Sequence, residues 1–233
     1  MPGFSEDTEN GRFKFTLTGD YLLIPYHDAR GRVTTIEGRC VGEPPEGMGK
    51  YVSLRRAGNH LYLFPGHRPE DTLAVCEGAM GAIVAAECGL AVGAIMGCEC
   101  FRASSSLETL DGDPGDPLLE LKGTDFGGRT VPYIPDADDP PNPNVLKAAP
   151  KAARWIAEPQ NGRAAVALLP VGADLDEWLL SLPAGTEERR ARFAALLAEA
   201  NPSEEHVELS PAPPQRGTNP KPLPQGRKGP VRR

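Results

Sequence analysis

The sequence predicts an α/β fold, in which a mostly parallel sheet is flanked by helices and preceded by an N-terminal β-rich subdomain. After about residue 70, apolar runs of strand length alternate with helical patterns, whereas earlier strand patterns follow one another without a helix. Alternating strands and helices are typical of βαβ units, whose parallel strands need crossover connections. The 233 residues are enough for one domain of ordinary size and a smaller subdomain.

The β-rich subdomain is predicted over residues 12–69. The run RFKFTLT alternates apolar and polar residues. YLLIPY and RVTTIEGR flank the turn-forming stretch HDARG, a pattern typical of a hairpin. Two further strand candidates, KYVSLRR and HLYLF, follow before the pattern changes.

The second domain, predicted over residues 70–200, opens with a βαβ unit. TLAVCE predicts a buried strand, GAMGAIVAAECG a helix of small residues, and LAVGAIMG a second strand. A polar segment rich in Asp, Gly and Pro, about residues 102–129, is predicted to be a long loop or insertion.

Strand and helix patterns continue beyond this segment. TVPYIPDADD predicts a short strand that ends in carboxylates, and RAAVALLP predicts another. The helical pattern NVLKAAPKAARWIAE lies between them, and Pro150 is expected to kink or split that helix. DLDEWLLSL and TEERRARFAALLAEA predict two closing helices, the second with Phe193, Leu196 and Leu197 on one face.

Both ends of the chain, residues 1–11 and 201–233, are predicted to be disordered. The second of these segments holds eight prolines, and its six Lys or Arg residues all fall after residue 215. This basic end would either add nonspecific affinity for nucleic acid or remain a solvated tail.

Composition excludes several classes of protein. No run approaches the roughly 20 apolar residues of a membrane span, and the acidic start lacks signal-peptide character. We therefore expect a cytoplasmic protein with no membrane partner. The net charge of −7 argues against a general polyanion binder but allows a local basic groove. The five cysteines are expected to be thiols, mostly buried, since Cys98 and Cys100 lack a second pair or a nearby His for zinc.

Carboxylates end two of the predicted strands. Glu77 ends the first strand of the second domain, and Asp136 and Asp138 end a later one. Functional groups gather at the carboxyl ends of parallel strands, and Mg²⁺ is typically held by carboxylates together with substrate phosphates. Gly78 would let a phosphate approach backbone N–H groups at the following turn. Each element alone is more often an exposed turn, so the hypothesis depends on their order and strand context.

These residues lie in segments that resemble a known family. LAVCEGAMGAIVAAECGLAVGAIMG resembles the first motif of Toprim domains, and VPYIPDADD resembles their Asp-x-Asp strand end. YLLIPYHDARGRVTTIEGR, GKYVSL and LLPVGADLDEWL resemble other segments of bacterial primases. With five segments in the correct order over about residues 20–182, the chain resembles the catalytic core of DnaG-like primases and their phage and plasmid relatives.

The resemblance implies an acidic metal site. It gives Glu77, Asp136 and Asp138 the catalytic and metal-holding roles. Asp174 and Asp176 would be further metal-binding acids, although Asp174 could simply cap the helix that follows it. The expected cofactor is Mg²⁺ or Mn²⁺.

The same resemblance implies contacts to phosphates. Arg39, Lys50 and Gly78 would face nucleotide or nucleic-acid phosphates. For Arg39 and Lys50, an ordinary role as charges at a strand edge is an equal alternative.

Several positions depart from the family pattern. Gly81 stands where the first Toprim motif usually has Asp, and Glu37 replaces the first Gly of a Gly-Gly-Arg sequence. Pro140 and Pro141 replace the usual Ala-Gly after the Asp-x-Asp segment. No zinc-binding segment precedes the core, so template recognition is expected to come from elsewhere.

The activity implied by the resemblance is metal-dependent nucleotidyl transfer in DNA replication of a bacterial, phage or plasmid system. The substrates would be ribonucleoside triphosphates and a single-stranded DNA template, with a replicative helicase as partner. A non-catalytic nucleic-acid-binding accessory protein with a degenerate Toprim fold is an alternative, favoured by Gly81 and the missing zinc segment. A Toprim nuclease is a third hypothesis, against which the primase-like upstream strands argue.

Overall fold

A computed structural model describes residues 4–7, 12–15, 20–28, 30–47, 49–53, 58–98, 100–102 and 117–202. Its strands are β1 (Phe4–Asp7), β2 (Arg12–Phe15), β3 (Tyr21–His27), β4 (Val33–Cys40), β5 (Tyr51–Ser53), β6 (Tyr62–Leu63), β7 (Ala74–Glu77), β8 (Val92–Ile95), β9 (Thr130–Ile134), β10 (Arg163–Val166) and β11 (Asn201–Pro202). Its α-helices are α1 (Ala79–Glu87), α2 (Pro143–Ala157), α3 (Leu175–Ser181) and α4 (Thr186–Ala198). Short 3₁₀ helices span Pro69–Asp71, Leu119–Leu121 and Glu158–Gln160.

The large sheet has six strands in the order β11-β10-β9-β7-β8-β6. Its four central strands are parallel, and the edge strands β6 and β11 run antiparallel to their neighbours. The predicted α/β class with a mostly parallel sheet is thus confirmed. Because the central strands are parallel, their carboxyl ends lie along one edge of the sheet.

Helices cover both faces of this sheet, as predicted. Side chains alternate along β7, so that Ala74 and Cys76 pack on the side of α1, α3 and α4. Val75 faces the opposite side and packs with α2. The predicted apolar face of α4 is confirmed, since Phe193 is buried and Leu196 and Leu197 pack against the same core.

The N-terminal region forms two small antiparallel sheets, β1-β2 and β3-β4-β5. The predicted hairpin is present, with Ile24 paired to Glu37. Phe4–Asp7, predicted to be disordered, instead pairs with β2. The strand in HLYLF, assigned by pattern to the β-rich subdomain, instead joins the large sheet, where Tyr62 pairs with Ala94.

Two further segments differ from the sequence-based expectation. Pro150 does not split α2, which is continuous because Ala149 and Ala153, on either side of the proline, are both packed into the core. Asn201–Pro202 pairs with β10, so the described fold extends slightly into the predicted tail. In the proposed insertion, residues 103–116 lie outside the described residues, and Leu118 and Phe126 are buried in the core. Residues 203–233 also lie outside them.

The structure bears on two of the expectations from composition. Within the described ranges, no helix is long and apolar enough to span a membrane. Cys40, Cys76 and Cys88 are buried thiols, and Cys98 and Cys100 are partly buried.

Glu37 is a buried carboxyl in β4, only 2% exposed. Its carboxylate accepts a hydrogen bond of 2.9 Å from the Tyr26 hydroxyl. Burial raises the pKa of Glu37 from 4.5 to about 7, against the opposing effect of the Tyr26 hydrogen bond. The folded chain therefore retains this proton to higher pH than the unfolded chain. The resulting contribution to stability is complete below pH 4.5 and is lost as the pH rises through 7.

Replacing Glu37 with Gln should consequently stabilise the protein more at pH 8 than at pH 4.5, by on the order of 2 kcal/mol. Gln keeps an acceptor for Tyr26 but cannot ionise. Urea unfolding at both pH values measures the free energy of unfolding, with the exposed Glu199→Gln as a control expected to show no such difference. Equal effects of Glu37→Gln at the two pH values would contradict the prediction.

Candidate functional site

Acidic side chains gather at the carboxyl edge of the large sheet. Glu77 is the last residue of β7, and Asp136 and Asp138 lie in the loop after β9. Asp174 occupies the N-cap position of α3, and Asp176 lies in the first turn of that helix, after β10. We call these five residues the acidic cluster.

Backbone hydrogen bonds hold the two loops of the acidic cluster together. The N–H of Ala137 donates to the Ala173 carbonyl at 3.2 Å, and the N–H of Gly172 donates to the Ala137 carbonyl. Asp136 and Asp138 flank Ala137, and Asp174 follows Ala173. The pairing therefore places the carboxyl groups that follow β9 beside those that follow β10.

Asp136 lies within the electrostatic influence of the other four carboxyl groups. The pKa of Asp136 is raised from 3.8 to about 8, first by burial and then by neighbouring negative charges. Those charges belong to the other four members of the acidic cluster: Asp174, Glu77, Asp176 and Asp138. A cation placed here would reverse the effect, because it would stabilise the ionised form of each carboxyl group.

Glu77 is oriented by groups from the turn after β8 and from the neighbouring strand β9. Its Oε1 accepts a hydrogen bond of 3.2 Å from the N–H of Cys98, and the Tyr133 hydroxyl lies 3.5 Å from its Oε2. Burial raises the pKa of Glu77, whereas N–H groups of Cys98 and Asp136 lower it and Asp138 adds to the increase. The sequence analysis missed Tyr133, although its place in the strand before Asp136 was a usable signal.

The acidic cluster fits Mg²⁺ or Mn²⁺ by its donor chemistry. Every donor is a carboxylate oxygen, the ligand type these ions prefer, and Mg²⁺ usually keeps several waters. In the part of the chain that the structure describes, no three His, Cys, Asp or Glu side chains are arranged to share one ion directly. An ion held here would complete its coordination with water or substrate oxygens, as Mg²⁺ commonly does.

The two predicted basic residues differ in their surroundings. Lys50 lies 3.8 Å from Asp174, and its side chain is 48% exposed. Arg39 lies over the ring of Tyr51, with 5.8 Å between the guanidinium carbon and the ring centroid. The ion pair thus links Asp174, at the edge of the large sheet, to the residue that precedes β5 in the three-stranded sheet. The carboxylate of Asp174 makes no side-chain cap to α3.

Gly78 begins α1 with a φ of 77°, a conformation that favours glycine. Its N–H donates to the Ile95 carbonyl at 2.8 Å and is therefore engaged within the sheet. The N–H groups of Ala79, Met80 and Gly81 in the first turn of α1 have no acceptor within the helix. They are better placed than Gly78 to meet a phosphate.

Gly81, which replaces the Asp of the family pattern, lies in a tight contact between α1 and α3. A Cβ at this position would lie 3.0 Å from the Sγ of Cys76 and 3.1 Å from the Cβ of Leu175. A side chain at position 81 would therefore require Cys76 or Leu175 to shift slightly. The acidic cluster of this chain therefore lacks a member at this position.

Comparison with known proteins identifies the fold. No family model matches the chain, and no curated protein sequence matches it. Among solved structures, a DNA primase domain from Pseudomonas aeruginosa matches 85% of this chain at 19% identity, with a TM-score of 0.52 and 57% of its own length covered. The zinc-binding and RNA polymerase domains of Aquifex aeolicus primase match 85% of the chain at 18% identity and a TM-score of 0.51, with 44% covered.

A third structure, the DnaG primase catalytic domain bound to single-stranded DNA, matches 86% of the chain at 20% identity, with a TM-score of 0.50 and 58% covered. The chain thus has the fold of the primase catalytic core, as the sequence motifs indicated. It spans about half the length of these solved primase structures.

Proposed function

We propose that this chain is a primase-like protein that makes short RNA primers on single-stranded DNA by metal-dependent nucleotidyl transfer. The observation that carries this proposal is the convergence of five carboxyl groups at the carboxyl edge of a sheet with the primase-core fold. Carboxylates crowded in this way repel one another unless a cation neutralises them.

In the proposed reaction, a primer 3′-hydroxyl attacks the α-phosphorus of a ribonucleoside triphosphate. The bond from the α-phosphorus to the bridging oxygen breaks, pyrophosphate leaves, and the hydroxyl proton passes to solvent. Bound Mg²⁺ or Mn²⁺ would supply the positive charge that offsets the charge of the triphosphate. Glu77, Asp136 and Asp138 would hold the ion, with Asp174 and Asp176 as further ligands. The N–H of Cys98 and the Tyr133 hydroxyl would keep Glu77 oriented.

Lys50, just before β5, and Arg39, in β4, would bind phosphates of the substrate that lies at the acidic cluster. Lys50 is half exposed and 3.8 Å from Asp174, so it could exchange this carboxylate for a nucleotide phosphate. The ring of Tyr51 would support the Arg39 guanidinium, and Gly78 would set the backbone turn at which phosphates approach α1.

One of the proposed partners is supported by the same comparison. A single-stranded DNA template is supported by the DnaG catalytic domain solved with single-stranded DNA. We further propose a replicative helicase as a protein partner. The protein would act in the cytoplasm, in the DNA replication of a bacterial, phage or plasmid system.

A second function, a non-catalytic nucleic-acid-binding accessory protein, is favoured by Gly81. Gly81 offers no carboxylate, and its position is packed tightly against Cys76 and Leu175. The two functions differ in whether bound template is copied.

Synthesis of RNA tests the proposal. Supplied with the four kinds of ribonucleoside triphosphate, the protein should make short RNA products that are visible on a denaturing gel. Synthesis should require both a single-stranded template and Mg²⁺ or Mn²⁺. Reactions without template or with EDTA are the controls. Template binding without any product, in all metals and with helicase added, would overturn primer synthesis and favour the accessory protein.

A further inference from the structure

We propose that the outer face of α2 binds backbone phosphates of single-stranded nucleic acid as the strand leaves the acidic cluster, an inference that rests on the proposed function. Three cations lie on this face, and we call them the α2 stripe: Lys147, Lys151 and Arg154. Their role would be to position the strand and not to take part in the chemistry.

The helical repeat places these three side chains together. They are spaced by four and three residues, the separations at which side chains on a helix are neighbours. The opposite face of α2 is packed into the core through Ala149, Ala152, Ala153 and Ile156. The stripe is therefore held on a rigid support and spans about 10 Å along the helix axis.

The α2 stripe has no carboxylate partner among the described residues. Within the described ranges, none of its three cations lies within ion-pair distance of Asp or Glu. Two of the three arginines of α4 differ, since Arg190 pairs with Glu187 at 3.2 Å and Arg192 with Glu188 at 3.1 Å. Like charges three or four residues apart destabilise a helix by roughly 0.2–0.5 kcal/mol per pair. A polyanion bound along the stripe would offset that repulsion.

The position of α2 indicates which polyanion would bind the stripe. The helix begins at the carboxyl edge of the sheet, just after the loop that carries Asp136 and Asp138, with Asn142 as its cap. Helices that connect parallel strands run back across the sheet, so Lys147 is the stripe residue nearest to the acidic cluster. Charges spread over this distance suit successive phosphates of one strand better than a single phosphate group.

The salt dependence of binding tests the inference. A labelled oligo(dT) strand would be titrated by fluorescence anisotropy with the wild-type chain and with Lys147→Gln/Lys151→Gln/Arg154→Gln. Each phosphate that a cation no longer neutralises lowers the slope of log K against log salt by roughly 0.7 on single strands, so the slope of the triple variant should be smaller by about 2. The matched control, Arg30→Gln/Lys122→Gln/Arg163→Gln, removes three exposed cations elsewhere and should leave the slope unchanged.

Equal slopes for the wild type and the stripe variant would overturn the inference, as would an equal decrease in the control variant or no binding by the wild type. Primer synthesis is measured separately. A slope that depends on the stripe in a protein that makes no RNA would uphold the α2 stripe while the proposed reaction fails. RNA synthesis by a protein whose salt slope is the same with and without the stripe would uphold the proposed reaction and overturn the α2 stripe.

Discussion

Replacing Glu77 with Gln is expected to reduce primer synthesis roughly 100-fold, equivalent to about 2.7 kcal/mol of transition-state stabilisation. Gln has nearly the same shape and still accepts the hydrogen bond from Cys98, but it removes the negative charge that would hold the metal ion. Because Glu77 is proposed to hold the metal ion and not to contact the template, the dissociation constant for single-stranded DNA should change less than about twofold.

The matched control for this substitution is Glu87→Gln. Glu87 is exposed at the last position of α1, so its replacement should alter neither synthesis nor template binding. Wild-type rates in the Glu77→Gln variant would show that this carboxylate takes no part in catalysis. A parallel loss of template binding would instead indicate a general structural role.

Replacing Asp136 and Asp138 with Asn should raise the free energy of unfolding at pH 8.5 in the absence of divalent metal, by on the order of 2 kcal/mol. The folded-state pKa of Asp136, about 8, is above its ordinary value of 3.8. Its contribution to stability is therefore complete below pH 3.8 and is lost as the pH rises through 8. Asn cannot ionise, so the variant avoids the repulsion that the wild type meets at pH 8.5.

Added Mg²⁺ should reverse this order of stability. The ion would bind the folded wild type and stabilise it by mass action, while the Asn variant should gain nothing. Urea unfolding with and without Mg²⁺ measures both effects, with Glu87→Gln/Glu199→Gln as a control that keeps the acidic cluster. Destabilisation of the metal-free Asp136→Asn/Asp138→Asn variant, as for a core mutation, would contradict the prediction.

Local patterns predicted the elements of the fold well. The βαβ unit that contains Glu77 is encoded in alternating apolar runs and small residues, which do not depend on distant contacts. The short run HLYLF predicted a strand correctly but not its sheet, since a two-residue strand gives no information about its partner. Pro150 was expected to disturb α2, but core packing on both sides of the proline keeps the helix continuous.

The acidic cluster was predictable because strand ends in a parallel sheet meet at one edge, which brings Glu77 together with Asp136 and Asp138. The contacts that support Glu77 and Glu37 could not be predicted from the sequence. The approach of Tyr133 to Glu77 depends on the register between β7 and β9. The raised pKa of Glu37 depends on the burial of its carboxyl group by tertiary packing, which no local pattern specifies.

The most direct test of a metal site in the acidic cluster is a Mn²⁺ titration followed by electron paramagnetic resonance, in which only free Mn²⁺ gives a strong signal. The wild type and the Glu87→Gln/Glu199→Gln control should remove Mn²⁺ from solution, and Mg²⁺ should compete for the same site. The Asp136→Asn/Asp138→Asn variant should leave the free signal unchanged, because it lacks two of the five carboxylates. Binding by that variant with the wild-type affinity and stoichiometry would contradict the assignment of the metal to the acidic cluster.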